Sequence, residues 1–402
     1  MKKNMPKRHC MIVLARYPLG ETRVQREAEA LINHGYEVDV ICARFSGEVT
    51  VGHHRNVRIY REEYRFPVRL TRKGGAVRDF LIYLTFFMSA AIRLTRLHRQ
   101  QPYDTIQVHN LPDFLVFSAL IPKLGGVPII LDLHDLMPEF YAGRFGQDGN
   151  SLLARLIRWQ ERLACRFVDH VITVSEHWRQ TLIKRGVPAD KCSVVMNVAD
   201  ENIFRWSEAS QPRSPGEDRF RLIYHGAIVY RYGLDLVLRA IDQVRHDIPK
   251  IHFTVVGRGD YRPTLIQMTQ ELGLNSHVTI DQLYLAEELP EIIRAADVGI
   301  VPYRNDIFTD GLLPTKLMEY AALGLPAIAA RTTAIEAYFR DTMVEFFEPD
   351  DVDDLARCIR MLNKSPERLA DLAQGSKKFN QKYNWSKIGA EYVALVERLG
   401  TR

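Results

Sequence analysis

The chain has 402 residues, 46% of them apolar and 26% charged, with a formal net charge of +5. That is roughly two to three domains' worth of sequence with material for real cores. The five cysteines are odd in number, scattered, and form no CxxC pair, which excludes a disulfide scaffold or a zinc ribbon and suits reduced thiols in a cytosol.

In chain order, a basic start leads into the apolar run Cys10–Ala15, too short for a secretory h-region and ended by Arg16. β-rich runs then alternate with amphipathic helical stretches. The pattern predicts strands at Met11–Leu14, Val38–Cys42, Thr105–Val108, Pro128–Leu133, His170–Val174 and Ser193–Met196. Between the second and third lies a basic stretch, Arg55–Arg78, in which seven arginines and Lys73 face only Glu62 and Glu63. Next comes Phe80–Ile92, apolar but only thirteen residues long, where a spanning helix needs about 20. Two readings stand for it: a core helix apolar on all sides, or an interfacial element that works with the arginines on anionic lipid. His134, just past a central strand, reads either as a core histidine satisfied by backbone or as a functional group.

The polar stretch 206–218, with two prolines and a glycine, reads as a linker. It separates an N-terminal domain, 1–205, with 30 Lys+Arg against 21 Asp+Glu, from a second half with 24 against 28. The second domain, 219–380, carries predicted strands at Arg221–Tyr224, His252–Val256, His277–Ile280, Val298–Val301, Ala327–Ala329 and Val344–Phe347. Residues 381–402 are expected to form a C-terminal helix that packs back on the N-terminal domain. The fold class is thus α/β: two doubly wound, Rossmann-like domains facing across a cleft, with ligands at the carboxyl ends of their strands.

Three features of the second domain point to a nucleotide diphosphate. A strand runs into Gly226, then a short loop, then Gly233 opening a helix: either a plain tight βα turn, or a place where backbone and a helix N-terminus meet phosphate. A second strand ends in Gly257-Arg258-Gly259. Third, Pro314 and Thr315 look like a helix start with the threonine able to cap, and Gly324 ends the helix. Lys316 and Glu319, three apart, share one face: either a surface ion pair, or a cation for phosphate and a carboxylate for ribose hydroxyls. Neither glycine turn has the spacing of a dinucleotide site.

Taken together, Tyr17-Pro-Leu-Gly20, Leu133-His-Asp135, Ile172-Thr-Val-Ser175, Met196-Asn197, the Gly226 loop, the Val256-Gly-Arg-Gly259 turn and the helix ending Glu319-x4-Gly324-x-Pro326 resemble glycosyltransferase family 4. The landmarks fall in family order along nearly the whole chain. The resemblance implies a GT-B enzyme that retains anomeric configuration and uses a UDP- or GDP-type sugar. It implies Glu319 on the donor ribose, the Gly226–Gly233 loop, Gly257 and Arg258 on the diphosphate, Gly20 near the phosphates and His134 near the transferred sugar. The family's arginine and lysine in the Gly226–Gly233 loop are here Ala227 and Tyr232, and its earlier glutamate is Gly311. Arg231 and Lys316 are therefore expected to neutralise the leaving diphosphate, with Thr315 at the helix start.

The resemblance and the charge pattern carry the remaining expectations. No metal or other cofactor is expected, since fixed cations and a helix N-terminus can stabilise the leaving group. The acceptor is expected to be a glycan or lipid-linked molecule met by the N-terminal domain, in surface-polysaccharide assembly. The setting is the cytoplasm, with an anionic membrane surface met through Arg55–Arg78 and no nucleic acid. A non-catalytic sugar-nucleotide binder and a sugar-nucleotide epimerase are the alternatives.

Overall fold

The computed structural model of the chain describes every residue except 1–5, 20, 65–75, 146–151, 207–218, 282, 283, 285, 286 and 402, with backbone alone for 76–79, 144, 145 and 153. The linker core, Gly20 and residues 65–75 of the basic stretch therefore lie outside the described residues, and the side chain of Arg78 is not described.

Two compact units emerge: residues 1–197 with 386–402, and residues 198–385. The division falls at Asn197–Val198, ahead of the boundary expected at 205. Helix Trp385–Gly400 belongs almost wholly to the first unit, where Tyr392 donates its hydroxyl hydrogen to Gln107 Oε1 at 2.6 Å.

The first unit is built on β1 (Arg8–Val13), β2 (Glu37–Ala43), β3 (Val51–His54), β4 (Val57–Glu62), β5 (Thr105–His109), β6 (Ile129–Leu133), β7 (His170–Thr173) and β8 (Cys192–Val194). Their order is β3-β4-β2-β1-β5-β6-β7-β8. The inner strands are continuous buried runs, as expected where helices cover both faces. The second unit carries β9 (Phe220–His225), β10 (Ile251–Val256), β11 (Val278–Asp281), β12 (Val298–Val301), β13 (Ala327–Ala330) and β14 (Glu345–Phe347). They run parallel in the order β11-β10-β9-β12-β13-β14. This is the dinucleotide-fold order, which reverses between β9 and β12. In the first unit the reversal falls between β1 and β5.

The twelve expected strands are present with ends shifted by up to a few residues. The hairpin β3–β4 was not expected. Arg55 and Asn56 form its two-residue turn, with φ of 45° and 67°, and the strands pair antiparallel. The hairpin changes the meaning of the basic stretch. Arg55 pairs with Glu29, Arg58 with Glu37 and Asp39, and Arg61 with Glu48. These three arginines are balanced within the unit, so the excess expected to face a membrane is smaller than composition suggests.

Helix Ala76–Gln100 is also longer than the thirteen apolar residues within it. Phe86, Ala90, Leu94 and Leu97 pack in the core with Leu115, Val116, Ala119, Ala164, Cys165 and Val168, against β1, β5 and β6. Phe80, Leu84, Met88 and Ile92 point outward and are exposed. The helix is half core and half surface, not core on all sides. All five cysteines are free and buried.

Tyr392→Phe removes the hydroxyl that satisfies buried Gln107 and should destabilise the protein by about 1–2 kcal/mol. Denaturant titration measures this as a lowered midpoint with unchanged slope. An unchanged midpoint would mean that the hydrogen bond contributes nothing net.

Candidate functional site

In the second unit, the chemistry-bearing residues gather where the strand order reverses. β9 ends at His225, and Gly226 follows at φ +120° with its N–H donating to Val256 O at 2.9 Å. Gly257, at φ +155°, comes so close that a Cβ there would lie 1.9 Å from Gly226 O. Two glycine turns thus pack backbone on backbone, which a side chain would prevent. Gly233, at φ +66°, caps the start of helix Leu234–Val244, and a Cβ on it would strike Pro302 O, just beyond β12.

Helix Thr315–Leu323 brings in Lys316 and Glu319. They do not form the ion pair their spacing allows. Glu319 Oε2 lies 2.5 Å from His225 Nε2, whose ring reaches Tyr320 Oη at 3.1 Å through Nδ1. Lys316 turns instead into a cage of three tyrosines. Its Nζ donates to Tyr303 Oη at 2.7 Å and lies 5.0, 4.9 and 4.9 Å from the ring centres of Tyr224, Tyr232 and Tyr303. Tyr232 and Tyr303 stack at 4.4 Å. A Cβ on Gly226 would touch Lys316 Cε at 3.3 Å, so the amine sits against the first glycine turn. Burial lowers the Lys316 ammonium to about 7, opposed by the charge of Glu319. Ring quadrupoles offset part of that burial.

The remaining expected residues of this unit are placed around these turns. Arg231 lies in the short turn Tyr230–Tyr232, half-buried, its guanidinium 5.0 Å from the Phe308 ring centre. Arg258 is exposed, and its carbonyl accepts from Ile228 N at 2.8 Å. Thr315 is the first helical residue, and Pro314, not the threonine, holds the cap position, without a side-chain cap bond. Asp310, beside Gly311, accepts from Thr333 N at 2.8 Å and so holds the start of helix Thr333–Tyr338.

In the first unit His134 follows β6 and is wired to buried charge. Its Nε2 lies 3.3 Å from Asp132 Oδ2 and 3.1 Å from His109 Nδ1, and His109 Nδ1 lies 3.0 Å from the same Asp132 oxygen. Arg23 grips both Asp132 oxygens at 2.9 Å and approaches Glu27 at 3.2 Å. Gln107 bridges Glu27 and Asp132. Burial alone would raise the Asp132 carboxyl, but Arg23 and the imidazoles hold it well below the usual carboxylate range. Burial would lower His134, yet Asp132 raises it by charge and hydrogen bond. Burial lowers His109 to about 4. The three ligand atoms of His109, Asp132 and His134 lie within 4.8 Å of one another, a spacing that suits a metal ion. The guanidinium already supplies the positive charge at that carboxylate.

One edge of His134 remains open, its side chain 23% exposed. It lines a cavity of about 430 Å³ with Glu21, Tyr83, Asn110, Asp135 and Leu111. The cavity lies at the reversal point between β1 and β5.

Residues 20–197 match the glycosyl transferase 4-like domain family, and residues 207–379 match the glycosyl transferases group 1 family. The chain is a family 4 glycosyltransferase. It is 26% identical over 310 residues to D-inositol 3-phosphate glycosyltransferase 1 of Catenulispora acidiphila, covering 73% of this chain and 72% of the relative. It is 28% identical over 186 residues to a GDP-mannose-dependent phosphatidylinositol monomannoside mannosyltransferase of Mycolicibacterium smegmatis, covering 44% of this chain and 48% of the relative. Among solved structures, sucrose-phosphate synthase of Thermosynechococcus elongatus superposes with a TM-score of 0.78 at 18% identity, over 98% of this chain and 99% of that one. Anabaena HepE in complex with UDP-glucose superposes at 0.72 and 15%, over 97% and 99%. The fold of this glycosyltransferase is GT-B.

Sequence reading missed the tyrosine cage, His225, and the Arg23–Asp132–His109 network. A signal was available for the last. His109 ends β5 and pairs in register with Asp132, one residue before the end of β6, so two polar groups stand side by side near the carboxyl edge of the sheet.

An entering diphosphate should reprotonate Lys316. The lysine's free-state value of about 7 then rises on binding, so binding takes up a proton and weakens as pH rises above 7, by at most about tenfold per unit. Calorimetry of nucleotide-diphosphate binding in buffers of different ionisation enthalpy measures that uptake. A proton count of zero between pH 7 and 8.5 would refute it, and Lys316→Met should flatten the profile.

Proposed function

We propose that this glycosyltransferase takes a sugar from a UDP- or GDP-type nucleotide-diphosphate sugar and passes it, with retention, to a glycan or lipid-linked acceptor. The proposed setting is surface-polysaccharide synthesis on the cytoplasmic side of the cell. The carrying observation is the Lys316 amine held against the Gly226 turn at a helix start, with Glu319 one turn further along. Such a pair matches a phosphate followed by a ribose. The name of the mycobacterial mannosyltransferase specifies GDP-mannose, and HepE was solved with UDP-glucose, which supports a sugar nucleotide of one of these two types.

Transfer needs charge taken up where the diphosphate leaves more than it needs a strong base. In this reading Lys316 and Arg231 take up that charge with the N-terminus of helix Thr315–Leu323. Glu319, oriented by His225, accepts from the ribose hydroxyls. No metal ion is called for. The acceptor enters the first unit's cavity, where Glu21 and Asp135 offer acceptors for sugar hydroxyls and Tyr83 an aromatic edge. His134, kept basic and fixed by Asp132, faces it.

A thermal-shift screen across UDP-, GDP- and ADP-sugars should give a shift of several degrees for one of the first two classes. No shift with any class would count against the donor assignment. Lys316→Ala and Arg231→Ala should each cost about 2–4 kcal/mol of transition-state stabilisation, read from kcat/KM. Near-normal turnover in both would remove these residues from leaving-group stabilisation.

A further inference from the structure

We infer that the outward face of helix Leu152–Phe167, together with those of Ala76–Gln100 and Leu120–Leu124, docks this protein on an anionic lipid bilayer. The inference goes beyond the proposed reaction and does not require a lipid-linked acceptor.

The pattern is clearest on helix Leu152–Phe167. Its exposed positions are Leu152, Arg155, Leu156, Trp159, Arg162, Leu163 and Arg166, which recur at steps of three and four and so form one stripe. Leu152 is 83% exposed, Leu156 59% and Trp159 58%. The opposite side, Ile157, Glu161, Ala164 and Cys165, is buried. The helix's one carboxylate, Glu161, is on that inner side and is held by Arg185 at 3.0 Å. The outward stripe therefore alternates large apolar groups with guanidinium groups and has no acid.

The neighbours extend it. Phe80, Leu84, Met88 and Ile92 form an exposed row on helix Ala76–Gln100, followed by exposed Arg96 and Arg99. Leu120, Ile121 and Leu124 are exposed on the short helix. Both long helices pack on the segment Asp113–Ala119, and their inner residues share one core. The three helices thus cover the same side of the sheet and turn their apolar rows outward on that side.

The chemistry selects the occupant. Leucine and tryptophan left in water forgo about 25 cal/mol per Å² of burial. Interleaved arginines let their stems lie in the apolar layer while their heads reach phosphate. A twofold contact with a second copy would set Arg155, Arg162 and Arg166 against the same arginines, with no acid among the described residues of the three outward faces to receive them. An anionic headgroup layer receives both parts. Helix Phe80–Gln100 has the length and composition to cross a bilayer, but its inner face is in the protein core, so it lies on the layer.

Co-sedimentation of the full chain with phosphatidylcholine vesicles, with and without about 30% phosphatidylglycerol, tests this. The wild type should bind the anionic vesicles at least about tenfold more tightly than the neutral ones. Leu156→Glu/Trp159→Glu should lose that binding while keeping the wild-type melting temperature and its turnover with a water-soluble acceptor. Arg155→Gln/Arg162→Gln/Arg166→Gln, which leaves the apolar face intact, should lose the anionic preference, and it decides the question if the first variant melts early. Wild-type binding in both variants, no binding by the wild type, or a wild-type dimer that either variant dissociates would overturn the inference. None of these outcomes depends on which sugar nucleotide is used.

Discussion

The bidentate pair between Arg23 and Asp132 organises the first unit. A carboxylate at the carboxyl end of a buried strand is costly unless charge and hydrogen bonds meet it. Here one guanidinium, two imidazoles and Gln107 meet it, and they fix in turn Glu27, Tyr392 and the ring of His134. The His134 edge facing the cavity is therefore set by a network that begins on helix Thr22–Asn33, which carries Arg23 and Glu27. Removing Asp132 would free a buried arginine, not only a histidine.

The second unit handles a buried charge differently. Lys316 lies among phenol rings, with Tyr303 as its hydrogen-bond acceptor and Glu319 committed to His225. The cage keeps the amine compact and against the glycine turn. The two loop positions where the family has cations hold Ala227 and Tyr232 here, and Tyr232 is one wall of the cage. The residue that departs from the family pattern at position 232 thus helps to build the environment of Lys316.

Hydrophobic periodicity and glycine placement made the two sheets legible in the sequence. Short apolar runs such as Ile129–Leu133 between turn signals read as central strands, Gly226 sits at a positive φ that side chains rarely adopt, and a Cβ on Gly233 or Gly257 would strike backbone. Hairpin β3–β4 was not legible, because Val51-Gly-His-His54 has no apolar run and its turn lacks glycine. Arg55, Arg58 and Arg61 looked like free charge for the same reason: their carboxylate partners come from distant segments. Lys316 and Glu319 were legible as neighbours, but their partners Tyr303 and His225 were not, since those lie at the ends of other strands. Helix Leu152–Phe167 was passed over because its apolar residues are diluted by arginines, a pattern that matters only once its inner face is known.

Helix Trp385–Gly400 has a consequence for how the molecule is made. The first unit is discontinuous: its opening 197 residues come first and its final helix last, with the whole second unit between. During synthesis the second unit has all its strands and helices before the ribosome reaches that helix. The half that emerges first is therefore completed only after the second unit has been made, and Gln107 waits for Tyr392 until then. A single cut cannot divide this protein into two whole parts. A fragment ending near residue 197 carries the polar network around Asp132 with one of its walls missing.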